Sequence, residues 1–365
     1  MGENFNIRGF TSDVISDINE NFYFLSTDSG DFRVTKLDSN TNEVWSKKYE
    51  TPKENFHGII ALDTEGNIFI SGNSAENIRD HETWELVTMK LTANGDILWS
   101  DTSITNGSDM AYASTTDRNG NLFIVGSLRK TSADSNAFIT KYASNGTREW
   151  SKNITTRYYT HAGSISIDEN DDIYVCGITG RDLFFAKYST SGEQTHHEVF
   201  KTIDDVRAPS MTLSKDGYIY IGGLMEFKDD KGKNLKENGK ALFVKKLNKN
   251  GKEKYFKTFE TTSDEIAIHN LEGDVHGNLY LYGERLAKTA NNHNKTLFLT
   301  QLNPDGNVMY EKEYNGSSYL SNLGKHSELY IDKNNSIFIA ANGHIKLKGD
   351  ELALGDFILK LKVAP

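Results

Sequence analysis

One short phrase recurs seven times along the 365-residue chain, and this repeat limits the possible folds more than any other feature of the sequence. Each copy begins with an acidic or polar residue, continues through a turn, and ends in aromatic and β-branched residues that favour a strand. The copies start 46, 54, 51, 46, 60 and 58 residues apart. A strand-rich repeat of about 50 residues cannot bury a hydrophobic face alone and is typical of a β-propeller blade. The copies are DINENFYFLS (17–26), DTEGNIFISG (63–72), DRNGNLFIVG (117–126), DENDDIYVCG (168–177), SKDGYIYIGG (214–223), DVHGNLYLYG (274–283) and DKNNSIFIAA (332–341).

A second pattern, apolar-apolar-x-Lys-apolar, follows each copy, with Gln301 replacing lysine in the sixth unit. A glycine stands five residues after the lysine in most units and supplies the positive φ of a tight hairpin, with Thr41 as the exception. Each unit is therefore predicted to form four antiparallel strands, A to D. Nine residues after the lysine position comes an aromatic residue or a histidine, and we expect the three tryptophans among them to wedge between blades: Trp45, Trp99, Trp150, His196, Tyr255 and Tyr310.

These patterns predict an all-β fold, a seven-bladed β-propeller of four-stranded antiparallel blades, forming one domain over residues 1–365. The last unit ends before its fourth strand, so we expect Glu3–Gly9 to supply that strand and close the ring. In that arrangement Asn4–Arg8 lies beside Phe357–Leu361. The expected blades cover approximately 10–50, 55–105, 109–155, 160–202, 206–260, 265–315, and 320–365 plus 3–9.

The repeated unit resembles the SBBP type of bacterial β-propeller repeat, D-x-x-G-N-[IL]-[YF]-V-x-G, then D-x-F-V-x-K-[LY], then G-x-x-x-W. The resemblance covers essentially the whole chain, with departures at Ser214 and Gln301. It implies a seven-bladed ring and an extracytoplasmic bacterial location, whether secreted, surface or periplasmic. It implies no single activity.

The composition argues against several classes of protein. The net charge of −10 and the pI of about 5.5 disfavour nucleic-acid and anionic-membrane partners. No apolar run approaches the ~20 residues of a membrane span, and the opening MGENFNIRGF has no apolar stretch of a signal peptide. The single cysteine, Cys176, excludes an intramolecular disulfide framework. The repeated aspartate is interpreted as structural, accepting backbone N–H groups of its own turn.

Loop lengths differ between the two faces of the predicted ring. The A–B and C–D turns are uniform in length. In every complete unit the asparagine position follows the repeated aspartate position by four residues, and the aromatic position follows the lysine position by nine. The intervals that contain the B–C loops vary from 10 to 23 residues, and these loops share the opposite face with the D–A loops. We call this the variable face. Variation in loop length on one face favours a binding surface on a rigid scaffold, although loop lengths also change where nothing constrains them. Trp84, in the blade 2 loop, is either a contact residue or a cap on its own blade.

Several polar side chains are predicted to meet at the mouth of the axial channel on this face, where each strand A begins. Imidazoles there could bind a divalent metal, the one cofactor we consider, or serve as acid and base. The alternative is that they form hydrogen bonds in a wet channel. Their registers differ by one residue, so strict strand alternation would prevent a shared orientation. The predicted axial residues are His57, Tyr112, His161, Arg207, His269 and His326.

Two functions are compatible with these features. The first is a non-catalytic binding or scaffold module, a monomer whose variable face engages a protein, glycan or surface polymer. It is favoured by the regular repeat and by the absence of any nucleophile-elbow, P-loop or zinc-protease motif. The alternative is a metal-assisted lyase or hydrolase with its site at the axial mouth. Fold alone does not decide between them.

Overall fold

The regular secondary structure of the described residues consists of β-strands, as the repeat predicts. The computed structural model describes residues 2–362 apart from 6, 8, 52, 78–83, 104–107, 132–133, 155–158, 202–204, 228–239, 261–265, 290–291, 319–326, 332–335 and 347–351. Within these ranges no helix has the length and apolar character needed to cross a bilayer.

The strands are numbered in chain order, and blades 1 to 6 each take four consecutive strands. Blade 1 contains β2 (Phe10–Ser16), β3 (Phe22–Asp28), β4 (Asp31–Leu37) and β5 (Glu43–Tyr49). Blade 2 contains β6 (Glu54–Leu62), β7 (Ile68–Ala75), β8 (Glu85–Leu91) and β9 (Ile97–Ser103). Blade 3 contains β10 (Ser108–Thr116), β11 (Leu122–Thr131), β12 (Asp134–Tyr142) and β13 (Arg148–Asn153). Blade 4 contains β14 (Thr160–Ile167), β15 (Ile173–Thr179), β16 (Asp182–Tyr188) and β17 (Gln194–Phe200).

The second half continues in the same way, and the last blade takes its outer strand from the start of the chain. Blade 5 contains β18 (Asp205–Leu213), β19 (Tyr218–Glu226), β20 (Lys240–Asn248) and β21 (Glu253–Glu260). Blade 6 contains β22 (Ile266–Gly273), β23 (Leu279–Thr289), β24 (Asn292–Leu302) and β25 (Val308–Ser318). Blade 7 contains β26 (Ser327–Ile331), β27 (Ser336–Lys346), β28 (Leu352–Lys362) and β1 (Gly2–Phe5).

Every blade is an antiparallel sheet in the order A-B-C-D, so the protein is an all-β, seven-bladed propeller. Blades 6 and 7 are additionally joined where Gly316–Ser318 of β25 pairs with Gly343–Ile345 of β27. The A strands pack side by side around the axis, from β2 through β6, β10, β14, β18 and β22 to β26, which contacts β2 again.

The ring is closed by the first residues of the chain, as predicted. Strand β1 pairs antiparallel with β28, and Asn4 lies opposite Phe357. The paired segment is Gly2–Phe5 with Asp356–Leu359, which begins two residues earlier in β1 than the sequence suggested. The closure removes the two open edges that strands C and D of the last blade would otherwise present.

The repeated aspartate is structural, which confirms its interpretation. In blade 3 Asp117 Oδ1 accepts the backbone N–H groups of Asn119 and Asn121, both at 2.9 Å, and Oδ2 accepts the Asn121 side-chain amide at 2.8 Å. In blade 5, where Ser214 replaces the aspartate, the Asp216 carboxylate accepts the N–H of Tyr218 at 3.2 Å. The acidic residue thus fixes the A–B turn and is not available for chemistry.

The strand C lysine is also structural. Lys90 lies directly opposite Phe69 of strand B, with its ammonium nitrogen 4.8 Å from the ring centroid, and it contacts the Asp63 carboxylate at 3.2 Å. Where blade 6 has Gln301, the amide donates instead to the Tyr280 hydroxyl at 2.9 Å. The lysine therefore contributes a cation–π contact inside the sheet.

The predicted wedges lie on the C–D turn of the following blade. A Cβ at Gly146 would lie 2.8 Å from Cδ2 of Trp99, and the Trp99 indole donates to the Ser144 carbonyl at 3.1 Å. Trp150 packs on Gly192 in the same way, and a Cβ at Gly192 would lie 2.9 Å from the Trp150 ring. Both glycines have φ of 79–90°. The turn therefore needs glycine for two reasons, because the backbone is left-handed and because the tryptophan ring leaves no room for a side chain.

Replacing Thr41 with glycine is expected to stabilise the protein by about 0.5 to 1 kcal/mol. Thr41 occupies the same turn position in blade 1 with φ of 69°, a left-handed conformation that is costly for a β-branched residue. The midpoint of thermal unfolding measures the effect. Thr41→Ala, which keeps the Cβ, is the control and should stay close to the wild type. A Gly variant no more stable than the Ala variant would show that the turn is unstrained.

Candidate functional site

Strand A carries a β-bulge near the variable face in each of blades 1 to 6. The bulge inserts one residue, or two in blade 5, opposite strand B, which re-aims the side chains around it. Strict alternation therefore does not hold here, and the rings of His57 and His161 both lie near Tyr112 although their registers differ by one residue. The bulged residues are Ser12, His57, Tyr112, Gly163, Ala208 with Pro209, and His269.

In blades 2 to 6 the last glycine of the repeated phrase, on strand B, lies beside the bulge, whereas blade 1 has Ser26 there and is bulged as well. In blade 4 a Cβ at Gly177 would lie 2.6 Å from Cε1 of Phe184 and 2.8 Å from Cα of Ala162, and it would overlap the His161 carbonyl oxygen. This glycine is the signal in the sequence from which the bulges of blades 2 to 6 could have been predicted. Strand A therefore lies too close to strand B for any side chain at this position.

His57 is held by the neighbouring blade. It lies between Phe56 and Gly58 at the blade 2 bulge, with φ of 46°. Its ring Nε2 is 3.0 Å from the carbonyl oxygen of Ala111 in blade 3. Because a carbonyl only accepts, Nε2–H is the donor, and this contact fixes the orientation of the ring.

Tyr112, in blade 3, is largely buried and keeps its proton. Ser127 on the adjacent strand donates its hydroxyl to the Tyr112 oxygen at 3.2 Å, and Tyr112 in turn points its O–H at the Met110 sulfur at 3.5 Å. Burial raises the pKa of Tyr112, and the hydrogen bond from Ser127 opposes that rise. The phenol is therefore neutral at physiological pH.

His161, in blade 4, is also neutral at physiological pH. Burial lowers its pKa to about 4, because the charged imidazolium loses its hydration. The ring lies between two tyrosines, with centroids 5.7 Å from Tyr112 and 6.0 Å from Tyr159. The Tyr159 backbone carbonyl accepts the N–H of Gly180 at 2.7 Å, which anchors the start of the strand.

Together these rings form a row across three blades. The ring centroid of His57 is 6.3 Å from that of Tyr112, and the series of ring contacts continues from Tyr112 to His161 and from His161 to Tyr159. We call His57, Tyr112, His161 and Tyr159 the axial arc. It combines aromatic surface with imidazole nitrogens and phenol hydroxyls, which suits a ligand that is apolar on its faces and polar at its edges.

Three other predicted residues contact side chains that do not belong to this row. Arg207 is more than half exposed and its Nε is 2.9 Å from Glu226 of its own blade. His269 lies beside Tyr282, with ring centroids 5.8 Å apart. Trp84 packs edge-on against Phe56 of its own blade, with centroids 4.6 Å apart. His326 falls outside the residues that the structure describes.

A metal centre was considered for the axial mouth. In the part of the chain that the structure describes, no three His, Cys, Asp or Glu side chains are grouped so that they could hold a metal ion. His57 and His161 are separated by Tyr112, whose ring lies near both. A divalent metal at this mouth stays a prediction.

No protein-family model and no curated protein matches the sequence. Similar solved structures include the polysaccharide lyase Uly1 (TM-score 0.60, 11% identity, 96% of this chain and 89% of that one). Another is the hydrazine synthase of Kuenenia stuttgartiensis (TM-score 0.55, 10% identity, 83% and 79%). A third is a protein from Lactobacillus plantarum (TM-score 0.53, 11% identity, 92% and 96%). At such low identity the likeness shows the fold and carries no activity with it.

Proposed function

We propose that the protein is a binding propeller of SBBP-type repeats, located outside the cytoplasm, whose variable face holds a glycan over the axial arc. The row of four rings at the mouth of the axial channel carries this proposal. It lies on the side of the ring where the loops vary in length, which is where a rigid scaffold places its binding residues.

The chemistry of the axial arc fits the hydroxyl groups and apolar faces of a sugar ring. His161 and Tyr112 are both neutral at physiological pH, and neutral imidazole and phenol groups can each donate and accept hydrogen bonds. A sugar ring presents hydroxyl groups around its rim and apolar C–H groups on its faces. Aromatic side chains can cover those faces while their polar atoms meet the hydroxyls.

The enzymatic alternative uses the same residues. Two imidazoles, those of His57 and His161, flank the Tyr112 ring at 6.3 Å and 5.7 Å, which favours acid–base chemistry on a bound sugar. A metal-assisted lyase or hydrolase would also change its thermal unfolding midpoint on addition of Zn²⁺, Ni²⁺ or Mn²⁺. Turnover of a glycan by the purified protein, lost in His161→Gln, would replace the binding proposal with this one.

Replacing Tyr159 with alanine is expected to weaken glycan binding about fivefold to tenfold, because one ring of the axial arc is lost. Tyr159 is 43% exposed, so its removal should leave the fold intact, and Tyr310, 40% exposed on the outer edge of blade 6, is the matched control. Binding is measured by calorimetric titration of a panel of neutral and acidic oligosaccharides. If no member of the panel binds the wild-type protein, or if Tyr159→Ala and Tyr310→Ala bind equally well, the proposal fails.

A further inference from the structure

Arg129 lies on strand B of blade 3, near the strand A bulge that carries Tyr112. It lies two residues beyond Ser127 on β11, on the same face of the sheet and nearer the variable face. Ser127 donates to the Tyr112 hydroxyl, and the charge of Arg129 acts on that phenol. The guanidinium is therefore on the side of the sheet that contacts Tyr112, and its charge lowers the pKa of that phenol, against the rise that burial causes.

Arg129 has no acidic partner among the described residues, which distinguishes it from other arginines of the variable face. Arg181 is paired with Asp205 at 3.1 Å, and Arg207 is paired with Glu226 at 2.9 Å. A half-buried guanidinium without a counter-ion is a strong site for a planar anion, because its fork of N–H donors matches a carboxylate.

The surroundings of Arg129 contain few acidic groups. Asp109, on the neighbouring strand, lies opposite Leu128, while Ser108 lies opposite Arg129. Cross-strand partners share a sheet face, so the Asp109 side chain is on the other one. The other acidic residue nearest to Arg129 along the sheet is Asp134 on β12, whose backbone lies opposite Thr131 and one residue away from Ser135, the partner of Arg129.

We propose that the ligand of the axial arc is an acidic glycan, in which a uronate sugar lies over the Tyr112 and His161 rings and its carboxylate binds Arg129. This inference rests on the proposed function, since it assigns a chemical class to the glycan. It also reconciles an acidic protein with an acidic ligand: the net charge of −10 repels the polymer at long range, and a local unpaired cation supplies the attraction.

The test uses tetragalacturonate and its fully methyl-esterified form, which keeps the sugar rings and removes the charge. The wild-type protein is expected to bind the acid at least about tenfold more tightly than the ester, because a charge-assisted hydrogen bond is lost in the ester. Arg129→Gln should abolish that difference and leave binding of the ester unchanged. Arg118→Gln removes the same charge from the opposite face, where Arg118 pairs with Asp171, and should behave as the wild type.

The outcomes separate this inference from the proposed function. If the acid and the ester bind equally well, and Arg129→Gln changes neither, the glycan site stands and its acidic character is wrong. If neither probe nor any neutral oligosaccharide binds, the proposed function itself fails. If poly-L-glutamate binds as tightly as tetragalacturonate and depends on Arg129, the ligand is an acidic peptide and the assignment to a uronate is overturned.

Discussion

Replacing Gly177 with alanine is expected to destabilise the protein by about 3 kcal/mol, at the upper end for overpacking. The added methyl group would lie 2.6 Å from the Phe184 ring and 2.8 Å from Ala162 Cα. Strand A of blade 4 is held by its neighbours on both sides, so it cannot move away without breaking its own pairing. Equilibrium unfolding in urea gives the difference in free energy.

Gly163 is the matched control for this prediction. It is the bulged residue on the opposing strand of the same blade, and a Cβ there would meet only the Pro209 carbonyl oxygen at 3.4 Å. Gly163→Ala is therefore expected to change the free energy of unfolding by less than about 0.5 kcal/mol. Similar losses of stability in both variants would contradict the close approach of the strands as the reason for Gly177.

The architecture follows from the sequence because each blade repeats the same structural contacts. The aspartate, the strand C lysine and the aromatic wedge each recur at fixed spacing, since each is tied to a partner in its own blade or the next. Asp117 ties its own turn, Lys90 lies over Phe69, and Trp99 covers the turn at Gly146. Ring closure by the first residues follows from the missing fourth strand of the last unit.

The candidate site was only partly predictable. His57, Tyr112 and His161 were found by counting back from the aspartate, and the structure brings their rings together. Their common orientation was not predicted, because it depends on a bulge that breaks strand alternation. Arg129 was missed because it lies on strand B and not on strand A, and because an unpaired charge is visible only in three dimensions.

The bulge also explains how the side chains at the mouth of the axial channel can differ between blades while the sheets stay the same. The last glycine of the repeated phrase permits the bulge in blades 3 and 4, whereas the bulged residue itself differs, being Tyr112 in one and Gly163 in the other. The glycine on strand B is thus kept for structural reasons in these blades, while the bulged residue on strand A can be of different types. The bulged residues are free to diverge between blades while the sheet is maintained.

The protein is expected to lose about 3 kcal/mol of stability between pH 6.5 and pH 4 through His161 alone. Burial lowers the pKa of His161 in the folded protein from 6.5 to about 4. In this interval the unfolded chain binds a proton that the folded protein does not, so acidification favours unfolding. The contribution is fully present above pH 6.5 and is lost as the pH falls to 4. His161→Gln lacks it, so its free energy of unfolding should fall less steeply over this interval, as measured by urea unfolding at pH 7.5, 6 and 5.

Tyr112→Phe is the control, because it alters the same row of rings without removing a group that titrates in this range. Its difference in stability from the wild type should be constant with pH, while that of His161→Gln changes by about 2 kcal/mol between pH 7.5 and pH 5. Parallel curves for the wild type and His161→Gln would show that His161 is hydrated in the folded protein. In that case His161 would carry a positive charge at mildly acidic pH and would itself attract a carboxylate, so an acidic glycan would bind more tightly as the pH falls.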